Sequence, residues 1–185
     1  MKTMYIAHQL FALHDRSLAA GLASYLKEKE HNLPLFLPYC DTQEQTLVVP
    51  KKGFYLFERD IERLKQLSAL VAIIHGPGYD DGVCMEIGFA YGCQAPILLF
   101  TTDFLTYSFG SDPTRFVFAD PLLTVLDAQV VHVSDPALQL SEPDRQASNH
   151  YDTFRQRHDQ SLLEACEQIW QWVQERANKE ECVGI

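Results

Sequence analysis

An α/β fold of about five mainly parallel strands, with helices on both faces and a C-terminal helix, is what this sequence predicts. Three observations carry the prediction. Short apolar runs alternate with amphipathic segments between residues 4 and 100, the pattern of a parallel sheet covered by helices. Residues 69–74, Ala-Leu-Val-Ala-Ile-Ile, are apolar without interruption, as a strand buried on both faces requires. Near the C-terminus, Phe154, His158, Leu162, Ala165, Ile169 and Trp172 recur at steps of three or four, which gives a helix one apolar face.

The elements follow in order. Residues 4–7 form a short apolar strand, and Leu18, Leu22, Tyr25 and Leu26 at helical spacing follow it. Asp15 is the expected N-cap of that helix, and the charged run 27–30 its solvated end. Leu35, Phe36 and Leu37 between two prolines make a second strand, after which the polar stretch 39–53 reads as a long loop. From Phe57, the positions of Ile61, Leu64 and Leu67 mark an amphipathic helix carrying Glu58, Arg59, Asp60 and Glu62 near its start. The buried strand 69–74 comes next, then the turn-rich HGPGYDDG, a helix over MEIGFAYGCQ, and a fourth strand at 96–100. Residues 130–133 supply a fifth strand, and 134–150 read as an exposed linker.

With 185 residues the chain fits a single domain over 1–185, with a variable loop and linker region at 103–150 and a C-terminal helix at 151–180. Fifteen Lys and Arg against 25 Asp and Glu leave a net charge of -10, which argues against a nucleic-acid polymer as partner. Five scattered cysteines without C-x-x-C spacing read as reduced thiols, not as a metal site or disulfide framework. No cleavable leader and no apolar run of membrane-spanning length is evident, so a cytoplasmic location is expected.

In an open parallel sheet, ligands bind beyond the carboxyl ends of the strands. That rule brings residues 5–11, 38–41 and 75–86 to one crevice. In the third segment Gly76, Gly78 and Gly82 permit close backbone approach, while Asp80, Asp81 and Glu86 crowd three carboxylates together. Glu86, read as standing at a helix start, is either a charge satisfying the helix dipole or a reactive carboxylate. Two carboxylates in different environments can run displacement at an anomeric carbon, one attacking and the other protonating the leaving group. Asp80 and Glu86 suit that division, and Asp81 is more simply a turn residue.

These residues resemble the nucleoside 2-deoxyribosyltransferases and their nucleotide N-glycosidase relatives. The likeness rests on MYIAHQLF, ERDIERL, ALVAIIHGP and YDDGVCMEIGFAYGCQAPILL. Within the last, D-x-G-x-x-x-E-x-G-x-A is carried by Asp80, Gly82, Glu86, Gly88 and Ala90, and Asp60 lies twenty positions before Asp80. The resemblance covers residues 2 to about 102.

What the resemblance implies is a flavodoxin-like, Rossmann-like domain with Glu86 as nucleophile toward C1′ of a 2′-deoxynucleoside. Tyr5 would position that carboxylate, and Asp80 would face the base as proton donor. Asp60 would help hold the base; His8, Gln9, Gly76 and Gly82, from the segments that the strand-end rule brings to the crevice, are expected to line the substrate site. Read without the resemblance, Tyr5 is a core strand residue and Asp60 a solvated helix carboxylate.

The chain also departs from the pattern. His8-Gln9 stands where many relatives carry Gly-Pro, and His8 is either a neutral donor to a purine or a loop histidine. Relatives donate an Asn from a neighbouring subunit to the sugar, but the asparagines here are Asn32, Asn149 and Asn178, none in the matching segment. Ser111, Asp112, Arg115 and Asp120 are the available replacements. The expected function is transfer of a 2-deoxyribosyl group between nucleobases, with no cofactor and no metal, in a homo-oligomer with shared active sites. One alternative is an N-glycosidase acting on nucleosides or their 5′-monophosphates, and another is a non-catalytic nucleotide-binding module. Release of free base from a deoxynucleoside separates the last from the other two.

Overall fold

The computed structural model describes residues 3–42, 46, 48–76, 78–103, 105–108, 114–126, 128–133, 141–146 and 149–182, with the side chains of 125 and 177–182 left aside. Five strands form one sheet: β1 (Thr3–Ala7), β2 (Leu35–Phe36), β3 (Leu67–Ile73), β4 (Ile97–Thr101) and β5 (Gln129–His132), in the order β2-β1-β3-β4-β5. β1 pairs in parallel with both β2 and β3, setting Tyr5 opposite Phe36 on one side and Leu70 on the other. β3 continues in parallel to β4, with Leu70 opposite Ile97 and Ile73 opposite Phe100. The parallel sheet expected from the alternation and the flavodoxin-like order implied by the resemblance are therefore both present. Its strand order reverses between β1 and β3, where the connections diverge and leave a crevice at the carboxyl ends.

The chain divides into two compact units, Met1–Ile74 with Gly78–Phe100 and Asp127–Val130, and His75–Pro77 with Thr101–Leu126 and Val131–Ile185. In the first, all five residues of β1 are buried, and Ile6, Leu70, Val71, Leu98 and Leu99 are fully enclosed. Burying side chains of this size contributes about 1.5–3 kcal/mol each. Helix α1 (Leu13–Lys29) adds Ala19, Leu22 and Leu26, spaced to fall on one face.

Several boundaries differ from those expected. Asp15 is not the N-cap of α1: the helix begins at Leu13 after Ala12, and Asp15 is buried in its first turn with His14 Nε2 3.3 Å away. A carboxylate there still faces the positive end of the helix dipole. The stretch read as a long loop contains α2 (Pro38–Thr42). Its turn closes because Asp41 Oδ2 accepts from the Leu37 N–H at 2.7 Å and the Thr42 hydroxyl donates to the Pro38 carbonyl at 2.5 Å.

Helix α3 (Lys52–Lys65) starts five residues before Phe57. Phe54 and Phe57 on its early turns are 72% and 56% exposed, so an inward-facing apolar period could not reveal that start. Asp60 consequently sits in the middle of the helix. Helix α4 (Asp81–Gly92) likewise begins ahead of Met85, with Asp80 as N-cap, which moves Glu86 from the helix start into its second turn.

In the second unit, α5 (Pro121–Val125) is capped by Asp120, whose Oδ1 accepts from the Leu122 N–H at 2.7 Å. Part of the expected linker is helical, as α6 (Glu142–Gln146) and the first residue of α7 (His150–Cys182). Arg157 Nη2 reaches Asp144 Oδ2 at 2.5 Å and ties α6 to α7. Helix α7 buries Ala165, Cys166, Ile169, Trp172 and Val173, a periodic face as expected. Ser111 and Asp112 lie outside the described residues.

Candidate active site

Tyr5 is 1% exposed in the middle of β1, its ring 5.3 Å from that of Phe36. Its hydroxyl nevertheless crosses to α4 and donates to Glu86 Oε1 at 2.5 Å. Such short O–H···O⁻ contacts are the strong, charge-assisted kind. The packing of α4 against β3 and α3, and of α3 against β1, holds the two side chains in place. Burial, then the charge of Glu86 and the hydrogen bond to it, drive the Tyr5 phenol far above its ordinary range. The hydroxyl is thereby kept protonated and stays a donor.

Beside this pair opens a cavity of about 400 Å³. The end of β1 and the residues after it contribute His8, Leu10 and Phe11, and α2 contributes Pro38. Opposite chemistry comes from α3 and α4, which supply Asp60, Asp80, Asp81 and Glu86, with Gly82 and Val83 between. Phe11 is 87% exposed, so its ring is held at the cavity without being buried by the protein. A flat aromatic surface facing a row of carboxylates can take a planar, hydrogen-bonding molecule.

Asp80 has a structural duty as well. Its Oδ1 accepts from the Val83 N–H at 3.0 Å and caps α4. Gly82 leaves that carboxylate room, since a Cβ there would stand 3.0 Å from Asp80 Oδ1 and the oxygen would have to give by a few tenths of an ångström. Asp60 is met by its neighbour Arg59, whose Nη2 and Nε lie 3.1 and 3.3 Å from Asp60 Oδ1.

His8 is buried, and its Nδ1 donates to the Gln9 carbonyl at 2.7 Å. That bond leaves Nε2 as the acceptor nitrogen, with no hydrogen-bond partner among the described residues. Burial lowers the His8 pKa, which favours the neutral ring. Gln9 and Gly76 do not line the cavity. Gly76 belongs to the second unit, where its backbone has φ +72° and its N–H is given to Asp103 Oδ2 at 3.0 Å. Arg115 and Asp120 also lie in that unit, and Arg115 spends its guanidinium on Thr106 Oγ1 and carbonyl at 3.1 and 2.7 Å.

Sequence reasoning passed over Arg16. Its Nη1 donates to the Leu10 carbonyl at 2.5 Å while the guanidinium lies 5.3 Å from the centre of the Tyr39 ring. It braces the Leu10–Phe11 rim from α1. A basic side chain in the first turns of a helix that leaves such a loop was the available signal. Among the described residues, no group of three or more His, Cys, Asp or Glu is arranged to hold a metal, and no helix is long and apolar enough to cross a membrane.

Comparison with known proteins agrees with the fold. No curated protein matches the chain. A conserved protein from Enterococcus faecalis V583 is 25% identical, with a TM-score of 0.52 over 75% of this chain and 96% of that one. A 2-desoxiribosyltransferase from Leishmania mexicana has a TM-score of 0.50 at 17% identity, over 70% of this chain and 89% of its own. The family model for nucleoside 2-deoxyribosyltransferase matches residues 4–130, a span that runs from the second residue of β1 to the start of β5 and holds every residue lining the cavity. On that match, the chain belongs to the nucleoside 2-deoxyribosyltransferase family.

Proposed function

We propose that the protein moves a 2-deoxyribosyl group from one nucleobase to another by double displacement at Glu86. The observation that carries this reading is the 2.5 Å bond from Tyr5 to Glu86 Oε1 at the wall of the cavity. A buried phenol donor fixes the direction of the carboxylate, which is nucleophilic in its ionised state. In the first step a Glu86 oxygen forms an ester bond to C1′ while the C1′–N bond breaks. The electron pair goes to the departing base, which takes a proton from Asp80. In the second step a nitrogen of the incoming base attacks C1′, its proton returns to Asp80, and the carboxylate leaves. Two inversions retain the β configuration.

Other features support the assignment of roles. Asp60 and Asp80 bring hydrogen-bonding groups to the edge of a base, and Phe11 and Leu10 offer it an apolar face. The reaction draws acid and nucleophile from side chains, so no cofactor enters it. The exposed apolar residues Phe54, Phe57, Met85 and Tyr91 on α3 and α4 support self-association, since large apolar side chains left in water mark contact surfaces.

The test is incubation of the full chain with a deoxynucleoside, with and without an acceptor base. Transfer to the acceptor is the expected result. Base release at the same rate with and without acceptor would make the protein an N-glycosidase, and no base release would leave it a binding module.

A further inference from the structure

We propose that Arg59, which does not itself line the cavity, is a positioning residue for the site, acting through Asp60. The inference rests on the functional reading above, in which Asp60 faces the base. Three observations support it. Arg59 Nη2 and Nε both lie within hydrogen-bond distance of Asp60 Oδ1, at 3.1 and 3.3 Å. The two side chains are only 18% and 26% exposed, so water screens them less than an ordinary surface pair. The positive charge also reaches Tyr5, where it opposes the effect of Glu86 and Asp60 on the phenol.

The cavity explains why a cation is needed there. Asp60, Asp80, Asp81 and Glu86 all line it, and a cation beside one of several like charges offsets part of their mutual repulsion. Among the groups near Asp60 are Arg59 from α3 itself and Tyr5 from β1, with Asp80, Asp81 and Glu86 the other acids of the same cavity. Arg59 therefore has two effects. It favours the ionised form of Asp60, and with Nη2 and Nε both on Oδ1 it restrains the orientation of that carboxylate. An ionised carboxylate can only accept hydrogen bonds, so Asp60 held this way selects a base edge that presents an N–H or amino group.

Arg63, one turn on, faces the ring of Phe36 at 5.3 Å and makes no contact with Asp60 in this arrangement, so Arg63→Ala is the control for loss of a cation from α3. The tests use the full chain with Arg59→Ala and Arg59→Lys. First, the Asp60 carboxyl is followed by carbon NMR without substrate. It should titrate at higher pH in Arg59→Ala than in the parent, with Arg59→Lys in between. An unchanged titration overturns the proposal whatever the activity.

Second, deoxynucleoside turnover is measured across pH. Arg59→Ala should raise KM by about tenfold, the usual effect of losing one charge-assisted bond near 1.4 kcal/mol. It should also shift the acidic limb of kcat/KM upward, while Arg59→Lys restores both the limb and KM only in part. A purely structural role would lower the folded fraction and kcat without moving the limb, and that result overturns the proposal. If the titration moves but the parent releases no base from any deoxynucleoside, the reading of the site fails while the Arg59–Asp60 coupling stands.

Discussion

Tyr5 on β1 and Glu86 on α4, eighty-one residues apart, meet through a single hydrogen bond of 2.5 Å. The pair links the centre of the sheet to the cavity wall, and its removal from either side has different consequences. Tyr5→Phe keeps the ring packing on Phe36 and loses only the donor. A hydrogen bond to a charged group contributes about 1.5–3 kcal/mol, so the chemical rate should fall by about ten- to a hundredfold, with base affinity nearly unchanged. Single-turnover kinetics measure this directly, and an unchanged rate would leave Tyr5 as a packing residue alone.

Glu86 is better tested as Gln than as Ala. Because the residue lies in the second turn of α4 and partners a buried phenol, Glu86→Ala should cost about 1–3 kcal/mol from the unpaired hydroxyl. Glu86→Gln keeps an acceptor, so it should melt near the parent temperature and still show no transfer or hydrolysis. Near-normal turnover in a folded Glu86→Gln would end its assignment as nucleophile. With the parent, a 2-fluoro-substituted nucleoside should leave a sugar adduct that mass spectrometry places on Glu86.

Gly82 offers an indirect handle on Asp80. A methyl at Gly82 would press on Asp80 Oδ1 from 3.0 Å, so Gly82→Ala should displace the carboxylate from the Val83 N–H. Loss of an N-cap bond costs about 1 kcal/mol, and the same shift moves the acid away from the departing base. Bases that need protonation to leave should slow more than activated ones in both Gly82→Ala and Asp80→Asn. Equal slowing of both classes would argue against Asp80 as the acid.

His8 predicts a pH dependence of stability. Its folded pKa lies below the ordinary 6.5 because the ring is buried. The unfolded chain therefore binds the proton more readily, and stability rises with pH through this window. As pH falls below about 6.5 the contribution of His8 is lost progressively, until the folded ring also protonates. Melting temperatures between pH 7.5 and 5 should drop for the parent and drop less for His8→Gln; identical slopes would refute the assignment.

A 5′-monophosphate should be a poorer substrate than the deoxynucleoside. Asp80 and Asp81 both line the cavity, and two like unit charges about 4 Å apart cost about 4 kcal/mol at an effective dielectric near 20. Arg115 is committed to Thr106 and Arg16 to Leu10. Ratios of kcat/KM for the two substrates decide the matter, and a clear preference for the monophosphate would favour a nucleotide glycosidase.

Much of this protein is written locally in its chain. Buried strands show in sequence because both faces must be apolar, so β1, β3 and β4 were legible within a residue or two, and the parallel order follows from the alternation with helices. The acidic segment around Asp80 and Glu86 was legible for a similar reason: its spacing is local. Helix starts were not, because α3 opens with exposed Phe54 and Phe57 and α4 opens on a side-chain cap, neither of which leaves an inward apolar period. The resemblance already paired Tyr5 with Glu86; tertiary structure alone decided that the two meet at 2.5 Å, that Gly82 leaves room for Asp80, and that Arg59 folds onto Asp60. Those relationships depend on side-chain distances of a few ångströms, between packed elements for Tyr5 and Glu86 and within a single turn for the other two, which hydrophobic periodicity does not encode.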